Sequence, residues 1–576
     1  MLRSAHAWFL RLLAGAVVTP IALIAQVRGA KELPVKYSGP PTVAQITPGD
    51  LMTRLYIFAD DSMMGRAVGT EYNLKGTAYI EREVRRLGLV PAGDSGGYFQ
   101  NLPLIARALD SSSTLTVGSA TFKAGTDFLA SSAGRPRQYD GMQVVFGGTP
   151  LDTTNFLAND KVRGTVVLMR PFVPGPDFNF QVLRQTNGWK LYQQSLAGAI
   201  VVTIGGEQLP PNAVRNAFNP TRVTMRRDDE APIGLAITPR LAEAMLGMPL
   251  AGAIKGATGR TFSSDVRFID APRPLGRNVV GIIPGTDTNL KGQYVAIGAH
   301  NDHIGFSTRP VDHDSLKAFM KIVRPQGADN AAVAATADQA RQVRILTDSL
   351  HKMHGARADS IYNGADDDGS GSVSVLEIAE AFARGTVKPR RSIIFVWHAG
   401  EEAGLWGSEW FTDHPAVPRD SIVAQLNMDM VGRGAASDVT GESKEGGPLR
   451  GGPGYLQLVG SRRLSTELGD LMEAVNKEQK LGFNFDYGMD ANGHPQNIYC
   501  RSDHYEYARY GIPIVFLTTG GHADYHQVTD EPQYIDYDHM ADVARLVFES
   551  ALKIANLDHR IVVDKPKPDP KGQCVQ

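Results

Sequence analysis

Four short, near-continuous apolar runs decide what the C-terminal half of this chain can become: Tyr294–Ile297, Ile393–Trp397, Ile422–Leu426 and Ile512–Leu517. Each is too short for a core helix and lacks the alternation of a strand with one wet face. Each therefore reads as a strand buried on both faces, the texture of a parallel sheet. Segments with helical spacing lie between them, as in Val373, Leu376, Ile378, Ala379 and Phe382. Strand–helix alternation predicts an α/β fold: an open, mostly parallel sheet flanked by helices. In such sheets ligands bind just beyond the carboxyl ends of the strands.

Those ends are rich in metal-ligand side chains. After the first run comes His300-Asn-Asp302-His303, and before the helix at 373 comes Gly364-Ala-Asp-Asp-Asp-Gly-Ser-Gly371. Glu401 and Glu402 follow the second run, Asn427-Met-Asp429 the third, and His522-Ala-Asp-Tyr-His526 the last. A single His or Asp at a strand end is more often a cap than a ligand. Several strands delivering imidazole and carboxylate to one sheet edge point to a metal centre. Two imidazoles with several carboxylates suit zinc, with manganese and cobalt as competitors, and not calcium, which takes oxygen alone. The carboxylates suffice for two ions with one bridge, and a Glu beside a ligand Glu can take the proton of a hydrolytic water.

The remainder of the chain is organised around this half. Arg3 and Arg11 precede the apolar run Leu12–Ala25, whose length suits a signal peptide. Residues 1–30 are therefore read as an export signal, with an uncleaved N-terminal anchor as the alternative, and no later stretch reaches the ~18 apolar residues of a membrane span. Thr47-Pro-Gly-Asp50 reads as a helix start, and Leu74, Ala78, Tyr79, Val84 and Leu87 mark a second helix closing near Gly88. Residues 112–265 change texture to short β-rich runs between Pro- and Gly-rich turns and contain no His. They read as a separate β-rich domain. Lys+Arg of 59 against Asp+Glu of 61 gives a formal charge of −2 with no basic block, which excludes a nucleic-acid partner. Two cysteines, Cys500 and Cys574, make no disulfide framework or thiolate zinc site; Cys500 reads as a packed thiol, although an exported protein could pair it with Cys574.

The strand-end motifs resemble the M28 family of co-catalytic zinc exopeptidases. They stand as Gly298-Ala-His-Asn-Asp302, Gly364-Ala-Asp-Asp-Asp-Gly-Ser-Gly371, Gly400-Glu-Glu-Ala-Gly-Leu-Trp-Gly-Ser408, Asn427-Met-Asp-Met430 and Asp524-Tyr-His526. The resemblance implies two Zn2+ ions: His300 and Asp429 on one, Glu402 and His526 on the other, and Asp367 bridging. It implies Glu401 as general base, Asp302 holding the outer nitrogen of His300, and Tyr499 hydrogen-bonding the tetrahedral oxyanion. It further implies a cis peptide after Asp367 and a fold like the zinc exopeptidases. Residues 112–265 resemble the protease-associated (PA) domain, so 41–111 and 266–560 would form one discontinuous peptidase domain, followed by a tail at 561–576. The implied activity is that of a secreted exopeptidase acting on peptides, with aminopeptidase as the first reading. Carboxypeptidase and dipeptidase directions stay open, as does oligomeric state. A receptor-like binding protein of the same scaffold would lack metal ligands, and here all five positions are filled.

The interval from His300 to Asp367 is longer than simple bacterial members of that family need. Residues 306–362 are read as an insertion near the active site, with helix at 331–352, that either roofs the site or makes a solvated excursion. Gly93-Asp-Ser-Gly-Gly97 imitates a serine-protease nucleophile loop, but the only His before it is His6 in the leader. His522 and His526 have zincin spacing without the intervening Glu, so only His526 is kept as a ligand. Gly327-Ala-Asp-Asn330 echoes the 364 motif and reads as a loop. His303, His398 and His504 are treated as supporting or structural residues.

Overall fold

The computed structural model describes residues 33–150, 157–170, 199–220, 222–331, 333–572 and 574–576. The leader at 1–30 lies outside them. Among the described residues no helix is long and apolar enough to cross a membrane.

Helix α1 (Pro48–Phe58) begins as the sequence predicts: the Thr47 side chain accepts from Asp50 N, and Pro sits in the first turn. Helix α2 (Glu71–Leu87) closes on Gly88 in the left-handed conformation. The main sheet follows, with strands β1 (Arg277–Ile283), β2 (Tyr294–His300), β3 (Ser392–His398), β4 (Ile422–Met428), β5 (Tyr455–Val459), β6 (Asn484–Asp486) and β7 (Ile514–Thr518). Their spatial order is β1-β3-β2-β4-β7-β5-β6, and the short strands Val90–Pro91 and Phe99–Asn101 both pair with β1.

The four apolar runs form the parallel centre, β3-β2-β4-β7. Both faces of this centre are buried, which explains the near-continuous apolar texture. Val295, Ile297, Phe395 and Leu426 enter the core under helices α5 (Gly371–Arg384) and α9 (Tyr537–Asn556), whereas Ala296, Ile394, Val396 and Phe516 enter the core on the opposite face. The intervening helices are α3 (His313–Val323), α4 (Ala337–His354), α6 (Trp406–Asp413), α7 (Thr466–Gln479) and α8 (His504–Ala508). The sheet as a whole is mixed, which corrects the expectation of a mostly parallel one. β1 runs antiparallel to β3, and β5 antiparallel to β7. These flanking strands carry buried polar side chains, Asn278 and Gln457, that break the apolar signature.

Strands between Thr114 and Asp265 make a second, eight-stranded mixed sheet with its own hydrophobic core. An antiparallel ladder of Leu104–Leu109 with Phe268–Pro272 closes the base of this excursion. Residues 306–362 form another excursion. Strands Phe306–Asp312 and Ala358–Ile361 pair antiparallel and enclose α3 and α4. Helix α4 carries a full capping box between Thr336 and Gln339.

Cys500 and Cys574 form a disulfide, so of the two readings of Cys500 the pairing with the tail holds and the packed free thiol does not. The tail is docked, with its Gln576 side chain accepting from Tyr499 N at 2.9 Å. A sequence separation of 74 closes a long loop, which confines the unfolded chain more than a short one would. Cys574→Ser should cost about 2–5 kcal/mol of stability. Thermal unfolding with and without reductant checks this: the midpoint of the parent should fall on reduction, and that of the variant should not move.

Candidate metal centre

The parallel register brings the strand ends level. His300 of β2 pairs with His398 of β3, while Gly298 pairs with Asn427 and Asn427 with Phe516. The residues that follow each strand therefore meet at one edge.

Here the structure gathers all five expected ligand positions. His300 Nε2 lies 3.1 Å from Asp367 Oδ1 and 3.6 Å from Asp429 Oδ1. His526 Nε2 lies 3.0 Å from Asp367 Oδ2 and 3.0 Å from Glu402 Oε2. Asp367 thus sends one oxygen toward each imidazole, as a bridge requires. Glu401 Oε2 stands 4.0 Å from His300 Nε2.

The triplet 366–368 is built so that only its middle member is available. Asp368 accepts from His300 N (2.9 Å), Gly371 N (2.9 Å) and Met430 N (3.3 Å). Asp366 accepts from Gly432 N at 2.7 Å, and its other oxygen lies 3.1 Å from His522 Nε2. Asp530 in turn accepts from the backbone N–H groups of Asp366 and Asp367. Donor atoms of His300, Asp368 and Asp429 fall within 4.8 Å of one another, but the oxygens of Asp368 are already engaged by backbone. The Asp367–Asp368 peptide is cis, as the resemblance implies. Gly364 has φ 56, and a Cβ there would collide with the Asp367 carbonyl, so the turn requires glycine.

Several expectations change. Asp302 stands at the outer nitrogen of His300, with its carboxylate 3.6 Å from Nδ1. The partner is the Asp302 backbone carbonyl, at 3.1 Å. The carboxylate instead accepts from Gly400 N and Glu401 N, fixing the turn that presents both glutamates. Tyr499 is not brought to the site. It is buried in the core beneath the sheet, with the Arg463 guanidinium over its ring. The tyrosine that lines the cleft with Asp367, Glu401 and Asp429 is Tyr525. Its ring stacks on His526 at 4.1 Å, and its hydroxyl accepts from Arg501 at 3.3 Å. Adjacency to His526 was the available signal.

Ser502 escaped the sequence reading, and His303, read there as supporting or structural, lies closer to the centre than that. Ser502 donates to Asp429 Oδ2 at 2.7 Å and is itself held by Asn427. His303 places Nδ1 2.7 Å from Glu402 Oε1, and its donor atom falls within 4.8 Å of those of Asp367, Glu402 and His526. The spacing His300-x-x-His303 could have suggested it. His398 faces Asp503 and bonds the Tyr507 hydroxyl, so it supports the floor of the site. Ser95 of the protease-like decoy is exposed in a short turn.

The electrostatics match this arrangement. Burial would raise Asp367, but His303 and hydrogen bonds from His300 and His526 hold it well below the usual carboxylate range. Burial pushes Glu401 well up; His300 opposes this, while Asp429 and Glu402 add to it. Burial likewise raises Asp429. These crowded carboxylates, together with a buried His303 Nε2 that lacks a hydrogen-bond partner, are what divalent cations would satisfy.

His504 is structural. It stacks on Phe516 at 4.6 Å and bonds the Tyr499 carbonyl at 2.7 Å, and burial lowers it to about 3. Because the folded value lies below the unfolded one of about 6.5, its contribution to stability is complete above pH 6.5 and is lost as pH falls toward 3. Histidine-selective NMR should show the His504 ring remaining neutral from pH 7 to pH 4.5, where exposed imidazoles titrate.

Comparison with known proteins places this geometry in context. Residues 278–551 match the model of Peptidase family M28. The leupeptin-inactivating enzyme 1 of Streptomyces exfoliatus is 29% identical over 184 residues, covering 31% of this chain and 35% of that protein. Leucine aminopeptidase 1 of Penicillium rubens is 26% identical over 200 residues, covering 33% and 47%. The alignments thus span less than half the length of these relatives. The solved zinc aminopeptidase of Bacillus subtilis aligns over 93% of this chain and 99% of its own, at 16% identity and a TM-score of 0.43.

Proposed function

We propose that this chain, whose residues 278–551 belong to peptidase family M28, is an exported exopeptidase with two zinc ions that removes residues from the amino terminus of peptides. The observation that carries the reading is the placement of Asp367, one oxygen 3.1 Å from His300 and the other 3.0 Å from His526, with Glu401 alongside. His300, Asp429 and Asp367 would hold one ion, and Glu402, His526 and Asp367 the other. When bound, the ions would polarise the scissile carbonyl and acidify a water.

The protein's own side chains supply the remaining chemistry. The Glu401 carboxylate accepts the proton of the attacking water and delivers it to the leaving amine. Tyr525, in place of Tyr499, donates its O–H to the oxygen that becomes negative. Ser502 fixes the rotamer of Asp429, and Asp302 fixes the backbone of Glu401. The amino-terminal direction rests on the relatives that are named leucine aminopeptidases. Export rests on Arg3 and the apolar run Leu12–Ala25. The PA-like reading of 112–265 rests on its separate sheet and core.

Glu401→Gln should retain zinc while kcat falls by roughly 10²–10⁴-fold. Asp367→Ala should lose zinc together with activity. Metal analysis beside turnover of a leucyl anilide checks both, and near-normal kcat in Glu401→Gln would remove the assigned base. A matched panel of free, N-blocked and C-blocked peptides tests the direction. Cleavage of the N-blocked peptide would exclude an aminopeptidase, and absence of zinc after repletion would favour a receptor-like binding protein.

A further inference from the structure

The turn Gly327-Ala-Asp-Asn330 belongs to the 306–362 excursion, and the mechanism above makes no use of it. Yet Asp329 lines the same cleft as Asp367, Glu401 and Asp429. Its carboxylate takes the Arg501 guanidinium in two contacts, Nη2 to Oδ1 at 2.9 Å and Nη1 to Oδ2 at 3.3 Å. The same Nη2 reaches the Tyr525 hydroxyl at 3.3 Å. The turn also grips Tyr525 through backbone, since Ala328 N donates to the Tyr525 carbonyl at 3.1 Å. Gly327, at φ +59, comes so close that a Cβ would lie 2.6 Å from that carbonyl oxygen and 2.7 Å from that of His522. Lys317 of α3 anchors the excursion beside it, with Nζ 3.1 Å from both oxygens of buried Asp524.

We propose that Asp329 is a positioning residue for peptide hydrolysis, holding Arg501 in the plane from which it donates to Tyr525 and so aiming the tyrosine O–H at the reacting carbonyl. This rests on the reading of Tyr525 given above. Arginine offers only donors, so the Tyr525 oxygen must be the acceptor in that pair. The phenolic hydrogen is then directed elsewhere, toward the cleft that Tyr525 shares with Glu401. A free arginine side chain would sample many rotamers, and two contacts to one carboxylate select the required one. The excursion is thereby a working part of the site, supplying a charge that the parallel strands do not.

Asp329→Ala should lower kcat on a leucyl anilide about 10-fold, with KM within about 2-fold of the parent. Zinc content and thermal midpoint should be unchanged, and Asp329→Glu should recover most of the loss. L-leucinephosphonic acid, a tetrahedral anion, should bind the zinc-loaded variant weaker by the same factor in calorimetry, while leucine binds as to the parent. Adding Asp329→Ala to Tyr525→Phe should cost nothing further. Multiplicative losses in that double variant, a rise in KM with kcat intact, or loss of zinc would each overturn the assignment. Full activity in Asp329→Ala overturns this inference alone. A parent enzyme that hydrolyses no peptide overturns the functional reading on which it rests.

Discussion

Asp367, Glu401, Glu402 and Asp429 occupy one buried volume, and a chain that crowds like charges this way must restrain each of them or unfold locally. The restraint is almost entirely backbone N–H. Asp368 caps His300, Gly371 and Met430; Asp530 caps Asp366 and Asp367; Asp302 caps Gly400 and Glu401. Each supporting carboxylate thus spends its lone pairs on the peptide groups of a loop that carries a working carboxylate. An acid saturated by N–H donors has little left for a cation, so the same pattern separates residues that hold the loops from residues that face the centre.

Residues differ in how plainly their context declares this division. The four central strands announced themselves because both of their faces are dry, and most of the proposed ligands were legible because they lie at or just beyond the ends of those strands. β1 and β5 were missed since Asn278 and Gln457 satisfy local hydrogen bonds inside the sheet, breaking the apolar run without breaking the strand. Asp302 was legible as the neighbour of His300, but not the atom through which it acts. Sequence indicates which residue stands beside His300, but whether its carboxylate or its carbonyl faces the ring depends on backbone dihedrals. Tyr499 failed for a related reason. A tyrosine near a motif has no visible direction, and in the fold it points into the core while Tyr525, beside a ligand, faces the cleft.

Long-range partners were the least legible. No local pattern links Asp329 to Arg501 or Cys574 to Cys500, because the pairing is set by how the excursion and the tail return to the sheet edge. Both meet the same short loop. Cys500 ties it to the tail, Arg501 receives Asp329 and reaches Tyr525, and Ser502 donates to Asp429. Three consecutive residues therefore connect two remote segments to both sides of the centre.

That convergence has a physical rationale. Loops are the least restrained part of an α/β domain, whereas catalysis by oriented dipoles tolerates displacements well under an ångström. Hydrogen bonds within so short a loop cannot supply such stiffness, since its exposed face competes with water. A covalent tie at Cys500 and a two-contact ion pair at Arg501 remove the rotational freedom that the Ile498–Cys500 turn alone would leave. Ser502 and Tyr525 then inherit fixed positions at the edge of the centre. The excursion and the tail are best understood as braces whose value lies in the orientation of two hydrogen bonds at the reacting centre, more than in the apolar area they bury.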